Sequence, residues 1–169
     1  KLKSGLPSED VGRIGMAISP VNPDYLYAIV EATEKDKGVY RSTDRGASWT
    51  KQNSYNASAG FYYHELYCDP IDLDRVYSND TFIQVTVDGG KTWKNFGDDK
   101  KHVDNHALWI NPNDNNQIRA GCDGGVYETR DGGRSWRFFE KQPVNHILKH
   151  AIDNALPLYN VPGRKQDNG

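Results

Sequence analysis

The sequence predicts an all-β protein, a segment of a β-propeller made of four-stranded antiparallel blades, and three observations carry that reading. An eight-residue pattern, S/T-x-D-x-G-x-S/T-W, recurs as STDRGASW (42–49), TVDGGKTW (86–93) and TRDGGRSW (129–136). Its aspartates, Asp44, Asp88 and Asp131, lie 44 and 43 residues apart, and a fixed period of that size marks a repeat architecture. Each period also holds short alternating apolar runs between turn residues, the pattern of antiparallel strands. Finally, 16 glycines and 8 prolines in 169 residues favour many turns and short strands over long helices.

The strands are justified in order along each period. The first runs are RIGMAISP (13–20), YHELYCDP (63–70) and HALWINP (106–112). Turns rich in Asn, Asp and Pro follow: VNPD, IDLD and NDNN. The second runs are YLYAIV, RVYSND and QIRAGC; the third are GVYRST, FIQVTV and GVYETR. The repeated motif comes next, and a fourth run starts at Trp49, Trp93 or Trp136. Four strands in about 43 residues make a propeller blade. The expected organisation is one partial propeller over 1–169. Residues 1–10 end a preceding blade, 11–53, 58–97 and 102–140 are blades, and 146–169 begin another. In the alternative, residues 1–6 complete a four-blade ring. Open edges imply missing blades or a homo-oligomer, because propellers close to limit unpaired edges.

The motif itself has the chemistry of a tight hairpin. An Asp side chain accepts bonds from backbone N–H groups further along a turn. Gly46, Gly90 and Gly133 can take the positive φ that such turns need. The hydroxyls of Ser42, Ser48, Thr86, Thr92, Thr129 and Ser135 can bond within the same turn. Trp49, Trp93 and Trp136 then anchor the fourth strand against a neighbouring blade. Three copies in phase point to scaffold rather than to a single active site.

Composition excludes some partners. Acidic and basic residues nearly balance at a net charge of −2, without the basic excess of a nucleic-acid-binding protein. No apolar run approaches membrane-spanning length, and KLKSGLPSED has no apolar stretch of the signal-peptide kind. Hydrophobic residues make up only 36%, which ten tyrosines and four tryptophans offset, since each aromatic buries a large area. Cys68 and Cys122 fit no metal spacing and read as buried free thiols. Neither a metal nor a cofactor is expected.

The motif resembles the Asp-box, or BNR repeat, of sialidases, xyloglucan-cleaving glycoside hydrolases, sortilin-type receptors and photosystem assembly factors. In those families it is a fold-stabilising turn on the outer side of the propeller. The stretches GRIGMAISPVNPDYLYAIVEA, HALWINPNDNNQIRAGCDGGVYETRDGGRSWRFF and DNALPLYNVPGRKQDNG resemble bacterial secreted proteins of the sortilin-like or glycosyl-hydrolase-like BNR type. The closing GRKQDNG departs from the glycine-rich GxQDNG of that branch. The resemblance implies a secreted or cell-surface setting. Activity does not follow from it, because propellers host many functions.

Propeller sites are expected on loops around the central channel. Aligning on Pro20, Pro70 and Pro112 puts Ile14, His64 and His106 at one position, with two histidines facing the channel. His102, Asp104 and His106 alternate and would share one face of a strand, unless His102 and Asp104 precede it in a loop. Such a set can bind zinc, serve acid–base chemistry or simply line a wet channel. A second set, Glu31, Asp80, Asp123 and Asp167, falls at second-strand ends. It reads either as an arc of rim carboxylates, of the kind glycoside hydrolysis uses in pairs, or as turn formers. Phe61 and Tyr62 precede the first run of the second period and are placed to stack on a sugar or grip a peptide. Hydrolytic signatures implied by the resemblance are missing. Of Arg13, Arg75 and Arg119, only Arg13 begins an inner strand, as a sialidase-type arginine triad requires. The expected function is a glycan- or peptide-binding scaffold, with part of a glycoside hydrolase as the alternative.

Overall fold

The computed structural model of this chain describes residues 4–97 and 100–140, together with the backbone of the strands over 147–152 and 160–164. Every regular element among these residues is a strand. The first sheet runs β1 (Ile14–Ile18), β2 (Leu26–Val30), β3 (Gly38–Ser42), β4 (Thr50–Asn53). The second runs β5 (Leu66–Cys68), β6 (Val76–Ser78), β7 (Gln84–Thr86), β8 (Lys94–Asn95). The third runs β9 (Asn105–Ile110), β10 (Ile118–Cys122), β11 (Gly125–Thr129), β12 (Arg137–Phe138). Each is an antiparallel meander, one per sequence period. A further pair, β13 (Ile147–Ile152) and β14 (Asn160–Arg164), follows, and β13 lies against β9 and β10.

The turns form where their side chains supply backbone-like acceptors. Asn22 Oδ1 accepts from the Asp24 N–H at 3.0 Å, Asp69 Oδ1 from Ile71 and Asp72, and Asn111 Oδ1 from Asn113. These Asx turns explain why Asn and Asp cluster between the first and second strands. Fourth strands begin one residue past each tryptophan, at Thr50, Lys94 and Arg137.

The repeated turn is built alike three times. Asp44, Asp88 and Asp131 each accept from the hydroxyl two residues back, at 2.7–2.8 Å. Each also accepts from the N–H and the hydroxyl four residues on, at 2.5–2.9 Å. The N–H of Gly46, Gly90 and Gly133 donates back to the Ser42, Thr86 or Thr129 hydroxyl, with φ of 85°, 95° and 89°. The Ser48 hydroxyl and N–H hold the Asp44 carboxyl at about 2, and those of Ser135 do the same for Asp131. At Asp88 burial works against the charge, yet the bonds from Thr92 and Thr86 outweigh it and again set about 2. Trp49 and Trp93 close the turn by donating Nε1–H to the carbonyls of Gly46 and Gly90 at 3.1 Å.

Sheets stack face to face through two cores. Tyr27, Ile29 and Val39 of the first sheet meet Leu66 and Val76 of the second; Tyr77, Ile83 and Val85 meet Leu108, Ile118 and Ala120 of the third. Trp93 and Trp136 are each covered by a residue that follows the outer strand of the sheet before. Tyr55, after β4, stacks on Trp93 at 4.7 Å, and Phe96, after β8, meets Trp136 edge-on at 6.2 Å. Leu6 packs in the cluster that contains Trp49. Both cysteines are free; Cys122 is buried and Cys68 partly so.

Candidate functional site

The site is the rim where the connection from β4 to β5 meets the start of β9. The segment NSYNASAGFYYHE (53–65) must turn through the gap between two sheets. Asp80 holds its first half, accepting from the Ser58 N–H at 2.9 Å, the Thr81 N–H at 2.7 Å and the Ser58 hydroxyl. The N–H groups of Tyr62 and Tyr63 both donate to the Ala59 carbonyl at 2.8 Å, giving a single tight turn. The Arg13 guanidinium holds the tip, donating to the Phe61 carbonyl at 3.0 Å while pairing with Glu65 at 3.5 Å.

Pinning the loop leaves Phe61 81% exposed and Tyr62 48% exposed. Tyr63 points the other way, is buried, and donates its hydroxyl to Asp104 at 2.6 Å. Burial, reinforced by the Asp104 carboxylate, pushes the Tyr63 phenol well above its ordinary range, so it stays a hydrogen-bond donor. The Tyr63 ring lies parallel to the His106 ring at 5.8 Å, and Tyr62 meets the same imidazole edge-on at 5.2 Å. His106 Nε2 is 2.8 Å from Asp123 Oδ1. Exposed Phe61 and Tyr62 are therefore linked by edge-on ring contacts to the buried His106, which pairs with Asp123.

The other sequence-expected residues fall elsewhere. His102, Asp104 and His106 do not share a strand face, because β9 begins at Asn105. Asn105 is fixed there by its own side-chain amide, which donates to the Asp80 and Thr81 carbonyls at 3.0 Å. Asp104 precedes the strand at φ 64°, a left-handed conformation that Asp tolerates. His102 is exposed and rests over Gly124, where an added Cβ would lie 2.5 Å from the imidazole. His64 borders an open pocket of about 410 Å³ with Arg13, Glu65 and His106, but is itself buried. Its Nδ1 lies 2.9 Å from the Tyr63 carbonyl, its Nε2 is buried with no partner, and burial lowers its pKa.

The three described acids of that set have different surroundings. Asp80 is 7% exposed and pins the loop, as a turn former does. Glu31 accepts from the Arg13 backbone N–H at 3.1 Å. Asp123, a third exposed, stands on the rim with His106. Asp167 lies outside the described residues. Sequence reasoning did not single out Ser58, Tyr63 or Asn105 as builders of the rim; their partners are 22 to 41 residues away, and no local pattern announces them. Among the described residues no group of three or more His, Cys, Asp or Glu is arranged to hold a metal ion.

Comparison with known proteins gives three informative matches. The oligoxyloglucan-reducing end-specific xyloglucanase of Emericella nidulans is 26% identical over 159 residues, covering 83% of this chain and 19% of that enzyme. The GH74 enzyme of Niastella koreensis superposes with a TM-score of 0.65 at 18% identity, over 85% of this chain and 24% of that one. YCF48 from Cyanidioschyzon merolae superposes at 0.62 with 14% identity, over 94% of this chain and 52% of that one. No family model matches. The three sheets are thus blades of a propeller fold, and the chain spans about a fifth of the length of its xyloglucanase relative.

Proposed function

We propose that this chain is a glycan-binding part of a glycoside-hydrolase-like propeller in a secreted or cell-surface protein, and that its ligand is a xyloglucan-type polysaccharide. One observation carries the reading: Phe61 and Tyr62 stand exposed on a loop pinned at both ends, beside the His106–Asp123 pair. A sugar ring offers an apolar face for stacking and hydroxyls for a polar group at its edge, and rigid aromatics supply contact area at low entropic cost. The similarity to a xyloglucanase supports the choice of polysaccharide. We read the repeated turn as an Asp-box. We assign blades to 11–53, 58–97 and 102–140, with 1–10 and 146–169 in adjoining blades.

Electrophoresis through gels containing xyloglucan tests this. The wild-type chain is expected to be retarded, and Phe61→Ala and Tyr62→Ala each to weaken binding roughly fivefold to tenfold, about 1–1.4 kcal/mol. Equal mobility with and without xyloglucan, for a folded wild type, rejects the proposal. A hydrolytic role is favoured by one feature, the exposure of Asp123 on the rim. It requires reducing-sugar release from xyloglucan that Asp123→Asn abolishes.

A further inference from the structure

We infer that the pocket between the outer strands of the second sheet and the repeated turn of the third is a binding site for an acidic sugar, a uronate unit of an oligosaccharide. It shares no residue with the rim at Phe61 and is independent of the ligand proposed above. The pocket has a volume of about 650 Å³, and its walls include Arg75, Tyr77, Val85, Lys94, Phe96 and Asn116, with the Gly132–Gly133 turn alongside. Pockets of that size take small organic ligands.

Register shows why the space is there, because equivalent positions build the gap between the first and second sheets. Tyr27 lies opposite Arg41, and Arg41 opposite Thr50. Tyr77 lies opposite Val85, and Val85 opposite Lys94. On the facing sheet the Gly89 N–H donates to the Asp74 carbonyl, and the Gly132 N–H to that of Asn116. Val85 therefore stands where Arg41 does, Lys94 where Thr50 does and Asn116 where Asp74 does. Arg75 precedes β6 as Tyr25 precedes β2.

In the first gap the arginine is the filling. Its guanidinium pairs with Asp74 at 2.9 Å, lies 4.8 Å from the centre of the Tyr25 ring, and reaches Gly89 so closely that a Cβ added there would collide with it. One cation and one anion cancel. In the second gap the side chain stops at the Cγ atoms of Val85, so the room taken by Arg41 stays open. The charge balance changes as well. Asn116 replaces the acid, while Arg75 and Lys94 replace two neutral residues. Asp69 and Asp72 flank Arg75 at 3.9 and 3.6 Å, but Lys94 stands exposed on the wall. The Arg134 Nε–H donates to the Asp131 carbonyl at 2.9 Å, which fixes a further guanidinium beside the turn. The Asp131 carboxylate is taken up by Thr129 and Ser135.

A carboxylate is the partner such a wall selects. Phe96 and Val85 supply an apolar surface for the C–H face of a sugar ring, and the Asn95 and Asn116 amides suit hydroxyls. A uronate carries all three features on one ring. An Asp or Glu side chain of a peptide brings its carboxylate on a flexible stem, with neither the ring face nor the hydroxyls.

Calorimetric titration of the intact protein with trigalacturonic acid tests this, with its methyl ester as the uncharged control. The acid is expected to bind, and the ester roughly tenfold more weakly or less. Lys94→Ala is expected to weaken binding of the acid roughly fivefold to tenfold. Val85→Arg combined with Asn116→Asp rebuilds the pair of the first gap and is expected to abolish binding while the circular dichroism spectrum stays that of wild type. Should that double variant not fold, Lys94→Ala alone decides. No binding of the acid by folded wild type overturns the inference, as do equal binding of acid and ester or wild-type affinity in Lys94→Ala. Hexaglutamate binding as tightly as the trisaccharide assigns the pocket to acidic peptides and also overturns it.

Discussion

Replacing Asp88 with alanine tests the part played by the repeated turn. The side chain accepts from the Thr86 hydroxyl at 2.8 Å, the Thr92 N–H at 2.9 Å and the Thr92 hydroxyl at 2.6 Å. Thr92 is exposed, so water replaces much of what its two bonds contribute. Thr86 is 1% exposed, and its hydroxyl proton would have no partner left, the more costly kind of loss. Together these predict a destabilisation of about 2–3 kcal/mol. For a chain of this length that lowers Tm by roughly 4–12 °C, readable by circular dichroism at pH 7. Asp88→Asn retains an acceptor oxygen and should recover about half of the loss. The effect should also depend on pH. The carboxyl sits at about 2 in the folded chain, below the roughly 3.9 of an unfolded aspartate, so its contribution is complete above that value. It fades as pH falls towards 2, and the wild-type and alanine curves should converge there. A Tm for Asp88→Ala within a degree of wild type at pH 7, or a difference that persists unchanged at pH 2, would refute the reasoning.

Two other consequences are open to measurement. Tyr63→Phe removes the bond to Asp104 while keeping the ring against His106, and is expected to cost about 1.5–3 kcal/mol; it should also speed amide hydrogen exchange at residues 59–63, and unchanged exchange there would show that the hydroxyl does not hold the loop. Burial pushes the Cys68 thiol up to about 12, leaving roughly one thiol in ten thousand ionised at pH 8. Iodoacetamide should therefore modify Cys68 far more slowly in the folded chain than in urea, and equal rates would contradict that burial.

Much of the fold was legible because its signals are local. The hydroxyls, aspartate and glycine of each turn lie within eight residues and are joined by hydrogen bonds, and in two of the three turns the tryptophan bonds to the same glycine. The strand pattern repeats at the same interval. The rim was less legible because its contacts cross between sheets. Asp80 reads in sequence as a second-strand end beside Asn79, yet its role comes from Ser58, 22 residues away. His102 and Asp104 continue an alternation that looks like a strand, but Asn105, tied to the Asp80 and Thr81 carbonyls, fixes where β9 starts. Aligning the periods sets His64 and His106 at one position. It could not tell that His106 would meet an acid while His64 sank beneath the loop, since that depends on Gly60 and Glu31 closing around the imidazole.

The covering of Trp93 and Trp136 by residues that follow the sheet before has a consequence for anyone who would cut, duplicate or graft these blades. A piece cut at the bounds of one sheet carries an indole without its lid, because the lid lies outside those bounds, just past the sheet before. A piece running from Tyr55 to Asn95 keeps Tyr55 with Trp93, and one running from Leu6 to Ser54 keeps Leu6 with Trp49. The module that packs is out of phase with the module that hydrogen-bonds, and a transplant that respects the first inherits a finished interior.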